Sequence, residues 1–336
     1  MSVKTEPFGS EGSLFTLQNA RGTRLVLTDI GASVVSLVYE GVDVALGWAG
    51  PEGYYRGSGY IGVTVGRNCN RIADAAFTLN GKRYVMEKND GENNLHSGPD
   101  SYATRRWQTE RVTDDSVAFL MDSPNGDQGF PGRLVLTACY RLTEDDRVEL
   151  TYRGRADADT VVNITNHTYF NLNGQGSGDI HGHILRLYAS RFTPARPGLI
   201  PTGEILAVKG TPYDFTAPHP IGRDIDCGDP GLVMAGGYDH NYLLDGEGFR
   251  PAAELTGDKT GVCLTVFTDR PALQVYTGNS LTGDTGKGGA VYARRGAVCL
   301  ETQQVPNAVN ESAFPSPVVK AGESYEARTV WQLKKL

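Results

Sequence analysis

From Val161 to Leu172 the chain reads VVNITNHTYFNL. Successive side chains on a strand point to opposite faces, so this run predicts a strand with two distinct rows. Val162, Ile164, Asn166, Thr168, Phe170 and Leu172 form a mostly apolar row. Val161, Asn163, Thr165, His167, Tyr169 and Asn171 form a row of mostly hydrogen-bonding groups. The same division recurs in AVCLETQQVP, Ala297 to Pro306, where Val298 and Leu300 oppose Cys299, Glu301 and Gln303. In LQVYTGN, Leu273 to Asn279, Leu273 and Val275 oppose Gln274 and Tyr276. A carboxylate directly after the apolar run AVCL is expected to be paired or functional rather than freely solvated. If the three strands are neighbours, their polar faces tile one concave surface. If they are remote, those faces meet water, as in many half-solvated antiparallel sheets.

Elsewhere the pattern is that of hairpins. FTLNGKRYVM, Phe77 to Met86, has Asn80-Gly81 between extended runs, a pair that tolerates the positive φ of a tight turn. Leu134 to Gly154 reads as two long strands around an acidic turn, and Arg106 to Ser123 repeats this around Asp114-Asp115. Both ends of the chain continue the pattern, and helical periodicity is almost absent. Forty-two glycines and seventeen prolines break the chain into short pieces rich in Val, Thr, Tyr and Phe. The Pro/Gly-rich stretch from Thr193 to Pro230 is punctuated by apolar residues and reads as ordered loop. These features predict an all-β fold, a large antiparallel β-sandwich, with residues 1–336 in a single domain.

Composition narrows the partners. A hydrophobic fraction of 39% and a charged fraction of 21% describe a soluble globular protein, and the net charge of −7 argues against a nucleic-acid partner. No apolar run approaches the roughly 20 residues that span a bilayer. The segment MSVKTEPFGSEGSLFTL shows no signal pattern, so no membrane association and a cytoplasmic location are expected. Five cysteines scattered singly suggest neither a disulfide framework nor a zinc knuckle, and Cys139, Cys263 and Cys299 are read as small buried hydrophobes.

Several motifs fail on inspection. GDTGKGG, Gly283 to Gly289, lacks P-loop spacing, and GQGSG is a turn-rich loop rather than a dinucleotide fingerprint. His181 and His183 in HGH could open a metal site, but no carboxylate follows closely, and an exposed edge pair is the favoured reading. Asn163, Asn166 and Asn310 match the glycosylation pattern by chance.

Loop residues add to the polar strands. GRNCNRI places Asn70 and Arg71 after an apolar run, NNLHSG frames His96 with Asn and Gly, and GYDHNYLL sets Asp239 just ahead of a strand. Singly, each has a structural explanation in a surface ion pair, a solvated histidine or a turn-shaping aspartate. Together with the polar strand faces they suit a polyhydroxylated ligand, which needs many directional donors and acceptors.

In this order GRNCNRI, NNLHSG, NHTYFNL, GYDHNYLL, LQVYTGN and LETQQVPNAVN run from residue 66 to residue 310, and their spacing resembles the aldose 1-epimerase (galactose mutarotase) family. The resemblance implies a sugar cleft on one sheet, a free monosaccharide such as galactose or glucose as substrate, and neither metal nor organic cofactor. It implies His167 as general acid and Glu301 as general base, with Asn70, Arg71, His96, Tyr169, Asp239 and Gln274 holding the sugar hydroxyls. It also implies a monomer or weak homodimer. Ser97 and the SGPDSYATRRW stretch depart from the family's glycine-rich loop, and Asn307 stands where aspartate is more frequent. The loop departures leave the preferred sugar open. Two rival readings remain: a glycoside hydrolase using Glu301 and Asp239, and a non-catalytic carbohydrate binder on the same scaffold.

Overall fold

The computed structural model describes residues 1–56 and 58–336. Its largest sheet has nine strands. They run from Gln108–Val112 through Ser116–Ser123, Leu134–Leu142, Arg147–Ala156, Ser324–Lys335, Val262–Thr268, Arg250–Thr256 and Ile184–Leu187 to His219–Pro220. Residues alternate between core and solvent along Leu134–Leu142 and Arg147–Ala156, as a sheet buried on one face requires. The C-terminal strand Ser324–Lys335 pairs with Arg147–Ala156 on one side and Val262–Thr268 on the other, tying the two halves of the chain together.

A second sheet of six strands carries the residues of interest. Its order is Tyr169–Phe170, Val298–Gln303, Ala272–Tyr276, Asp239–Leu243, Arg191–Thr193 and Leu206–Ala207. Phe170, Val298, Leu300, Leu273 and Val275 from its inner face enter one core with Leu136, Tyr140, Leu264 and Trp331 of the large sheet. The Phe170 and Trp331 rings meet edge to face at 5.3 Å across this interface. A five-stranded N-terminal sheet adds Phe15, Leu17, Leu25 and Leu37 to the same core. The architecture is a β-sandwich, as expected. Helix is confined to two six-residue segments, Pro51–Arg56 and Pro230–Ala235, plus short 3-10 turns among the described residues.

The expected hairpins form. Leu79 pairs with Lys82 across Asn80 and Gly81, whose φ values of 52° and 75° are those of a primed turn. Three expectations need correction. The Val161 to Leu172 run is three two-residue strands rather than one, and His167 sits in a gap between the second and third. Asn166 makes this break, because its Oδ1 accepts the Thr168 N–H at 2.9 Å and the Thr168 hydroxyl at 2.5 Å. His181 and His183 lie in a turn and are not an exposed pair: His183 is fully buried and its Nε2 accepts the Leu172 N–H at 2.9 Å. Cys139 is partly exposed, whereas Cys263 and Cys299 are buried.

Candidate active site

Strand register builds the floor of the site. Asn241 pairs with Gln274, and Gln274 pairs with Glu301. The next row on the same face is Asp239, Tyr276, Cys299 and Tyr169, each paired with the next. Continuing the Tyr169–Cys299 register by two residues brings His167 opposite Glu301. The three strands singled out by alternation are therefore neighbours, and their polar faces do tile one surface. Behind it, Leu273, Val275, Val298 and Leu300 lock the strands into the core.

Two loops form a wall. Arg71–Ile72 pairs with Asn94–Leu95, and Asn70 and His96 clamp each other. The Asn70 N–H donates to His96 Nδ1, and the His96 N–H donates to the Asn70 carbonyl, both at 3.1 Å. Both residues hold left-handed φ, 59° and 55°. Because Nδ1 accepts, neutral His96 carries its proton on Nε2. Burial, with His167 and Arg71 adding to it, pushes its pKa well below the usual histidine value.

These elements enclose a cavity of about 320 Å³, at the small end of the roughly 300–1,000 Å³ of small-molecule sites. Asn70, Arg71, His96, His167, Tyr169, Asp239 and Glu301 all line it. Gln274 does not. It lies behind Asp239 and donates from Nε2 to Asp239 Oδ1 at 2.6 Å, so it supports the wall instead of forming it. The Tyr169 hydroxyl already donates to the Gly59 carbonyl at 2.7 Å, and its ring packs 5.1 Å from that of His167. Tyr60 and Tyr276 also line the cavity, with centroids 6.0 and 6.1 Å from His167. Alternation places Tyr276 on the polar face of LQVYTGN, so that residue was available from sequence; Tyr60 follows no pattern. Ser97 and Asn307 lie outside the wall. Ser97 holds φ 68° while its Oγ accepts the Asn68 N–H at 2.8 Å and donates to the Asn68 carbonyl at 3.0 Å.

The chemistry centres on two buried groups. His167 Nε2 stands 3.7 Å from Glu301 Oε1. Burial lowers the His167 pKa to about 4. It raises that of Glu301 well above the carboxylate range, Asp239 adding to the rise and Arg71 opposing it. Glu301 Oε2 is buried without a hydrogen-bond partner, an arrangement that is expensive unless a ligand completes it. Arg71 is fixed by Asp90, with Nε to Oδ2 at 2.7 Å, and its Nη1 lies 3.6 Å from Asp239 Oδ2. Among the described residues no group of three or more His, Cys, Asp or Glu is placed to hold a metal ion.

A family model described as aldose 1-epimerase matches residues 13–332. The chain belongs to the aldose 1-epimerase family. Membership makes it an isomerase. It is 37% identical to the aldose 1-epimerase of Escherichia coli, over 97% of this chain and 96% of that one. It is 42% identical to the galactose mutarotase of Bos taurus, over 86% and 83% respectively. Among solved structures, a GalM/aldose epimerase homologue from C. elegans superposes with a TM-score of 0.91 at 25% identity, covering 97% of this chain and 99% of that one. Galactose 1-epimerase from Lactobacillus acidophilus superposes at 0.87, with 25% identity and 99% of both chains covered. No helix among the described residues is long and apolar enough to cross a membrane.

Proposed function

We propose that the chain, acting as one β-sandwich domain, interconverts the α and β anomers of free hexoses such as galactose and glucose. His167 serves as general acid and Glu301 as general base. The observation that carries this reading is the buried, unpartnered Glu301 Oε2 beside His167 in a cavity walled by polar side chains.

Anomer exchange opens the ring and recloses it on the other face of C1. Opening needs a proton delivered to the ring oxygen and one removed from the C1 hydroxyl; closing needs the reverse. Burial drives His167 and Glu301 towards their neutral forms. A neutral imidazole with a protonated carboxyl holds as many protons as an imidazolium with a carboxylate. The pair thus reaches its reactive form by a net shift of one proton from carboxyl to imidazole, relayed by a hydroxyl that bridges the 3.7 Å gap because direct transfer needs a shorter contact. Glu301 then takes the C1 hydroxyl proton while His167 Nε2 protonates the ring oxygen. Rotation about C1–C2 and the reverse transfers complete the exchange.

Asn70, Arg71, His96 and Asp239 hold the other hydroxyls, with His96 offering its Nε2–H. Tyr169 contributes its ring, and Gln274 acts through Asp239. The test is optical rotation of freshly dissolved α-D-galactose, then α-D-glucose. Faster relaxation to the same final rotation supports the reading. No acceleration, or release of reducing sugar from an aryl glycoside, contradicts it.

A further inference from the structure

Behind the cavity wall a run of buried side chains has one direction of polarity. Cys69 Sγ donates to Gln303 Oε1 at 3.5 Å, and Gln303 Nε2 donates to Gln274 Oε1 at 3.3 Å. Gln274 Nε2 then donates to Asp239 Oδ1 at 2.6 Å. Gln303 Nε2 also donates to Asn241 Oδ1 at 3.1 Å, and the Asn241 amide is itself committed to Thr193 Oγ1 at 3.3 Å. Gln303 is wholly buried, and Gln274 nearly so. Each amide passes its dipole to the next, and the last donor meets a carboxylate. In a low-dielectric interior such a chain is cooperative, and a reversed member is heavily penalised.

We propose that Gln303 is a positioning residue that acts through Gln274 to hold Asp239 with Oδ2 turned towards Arg71 and the cavity. Gln303 does not line the cavity and touches no substrate. Its work is directional. With its Nε2 in place, the Gln274 carbonyl must face Gln303 and the Gln274 amide must face Asp239. Without it, the Gln274 carbonyl is left unpartnered, and the Gln274 side chain, tethered only through Asp239, no longer fixes that carboxylate against Arg71. Cys69 fixes the far end, because burial pushes its thiol pKa up and keeps the proton on sulfur.

This inference rests on the reading of Asp239 as a residue that holds a sugar hydroxyl. The test is a double-mutant cycle of Asp239→Asn and Gln303→Met, read by polarimetric kcat and KM on α-D-galactose with thermal unfolding alongside. Asp239→Asn should raise KM. Gln303→Met should raise KM about tenfold with kcat within about twofold, as loss of uniform binding does. In the Asp239→Asn background the same change should raise KM by less than about threefold. With no carboxylate left for Gln274 to hold against Arg71, loss of the Gln303 donor has little further to disturb. Should Gln303→Met not fold, Gln303→Glu, which keeps the volume and, as the neutral acid that burial favours, one O–H donor, is read in the same cycle for a rise of about threefold that vanishes in the Asp239→Asn background. Equal effects of the position-303 change in both backgrounds, or a lower unfolding temperature with unchanged KM, overturn the proposal. An unchanged KM in Asp239→Asn overturns the reading of Asp239 itself, and the positioning role with it.

Discussion

His167 and Glu301 stand opposite one another, Nε2 to Oε1 at 3.7 Å, on the line that continues the Tyr169–Cys299 register. Backbone hydrogen bonds hold the histidine in its gap: its N–H donates to the Val63 carbonyl at 2.9 Å, and its carbonyl accepts the Gly62 N–H at 3.0 Å. Replacing the imidazole by an amide keeps that backbone frame and removes the proton donor. His167→Gln is therefore expected to fold normally and lose about 10²–10⁴-fold in kcat, the usual share of general acid–base catalysis. Wild-type turnover would show that another group supplies the proton.

Arg71 is held between Asp90 and Asp239. Arg71→Met removes a donor that binds ground state and transition state alike, so KM should rise about tenfold or more while kcat changes little. Initial rates over a range of galactose concentrations separate the two constants.

The buried histidines make stability fall on the acid side. His167, His183 and His240 each have a folded-state pKa of about 4, chiefly through burial. The unfolded chain titrates them near 6.5, so it binds more protons in that window and stability is lost as pH falls from about 6.5 to about 4. The loss is on the order of 3 kcal/mol for each such group. Glu301 works the other way, because its folded pKa is raised. Its contribution is full below the unfolded value and is lost as pH rises. Glu301→Gln should accordingly steepen the acid-side loss, measured as urea midpoints across this range.

Gly62 and Gly81 share positive φ but differ in surroundings. A Cβ on Gly62, at φ 77°, would lie 2.1 Å from the Val34 carbonyl oxygen, whereas one on Gly81, at φ 75°, would meet nothing within 4 Å. Gly81→Ala carries only the left-handed penalty of roughly 1–2 kcal/mol. Gly62→Ala must also shift backbone, so it should destabilise by clearly more and displace His167, whose carbonyl accepts the Gly62 N–H. Calorimetry on both variants checks the order.

Period-two alternation made much of this site legible. Val298 and Leu300 against Cys299, Glu301 and Gln303 is a local pattern, and antiparallel pairing converted it into rows of neighbours. Partners far away in the chain were not legible. Nothing in HGH reveals that His183 accepts the Leu172 N–H. The Asn166–Thr168 contact is local, but alternation does not register a side chain that competes with the strand for the next backbone N–H. Gln274 shares a face with the site residues, but only the position of Asp239 in front of it sets it behind the wall. Tyr60 enters from the 3-10 turn Ser58–Tyr60 at φ 56°, where sequence carries no periodic signal.

The most direct measurement compares wild type and Glu301→Gln in the relaxation of optical rotation of fresh α-D-galactose, with thermal unfolding run on both. The amide keeps the volume of the carboxyl but cannot take the C1 hydroxyl proton. The wild-type protein should accelerate relaxation to the equilibrium rotation, and the folded variant should be slower by about 10²–10⁴-fold. A folded Glu301→Gln protein that relaxes galactose as fast as wild type would contradict the account.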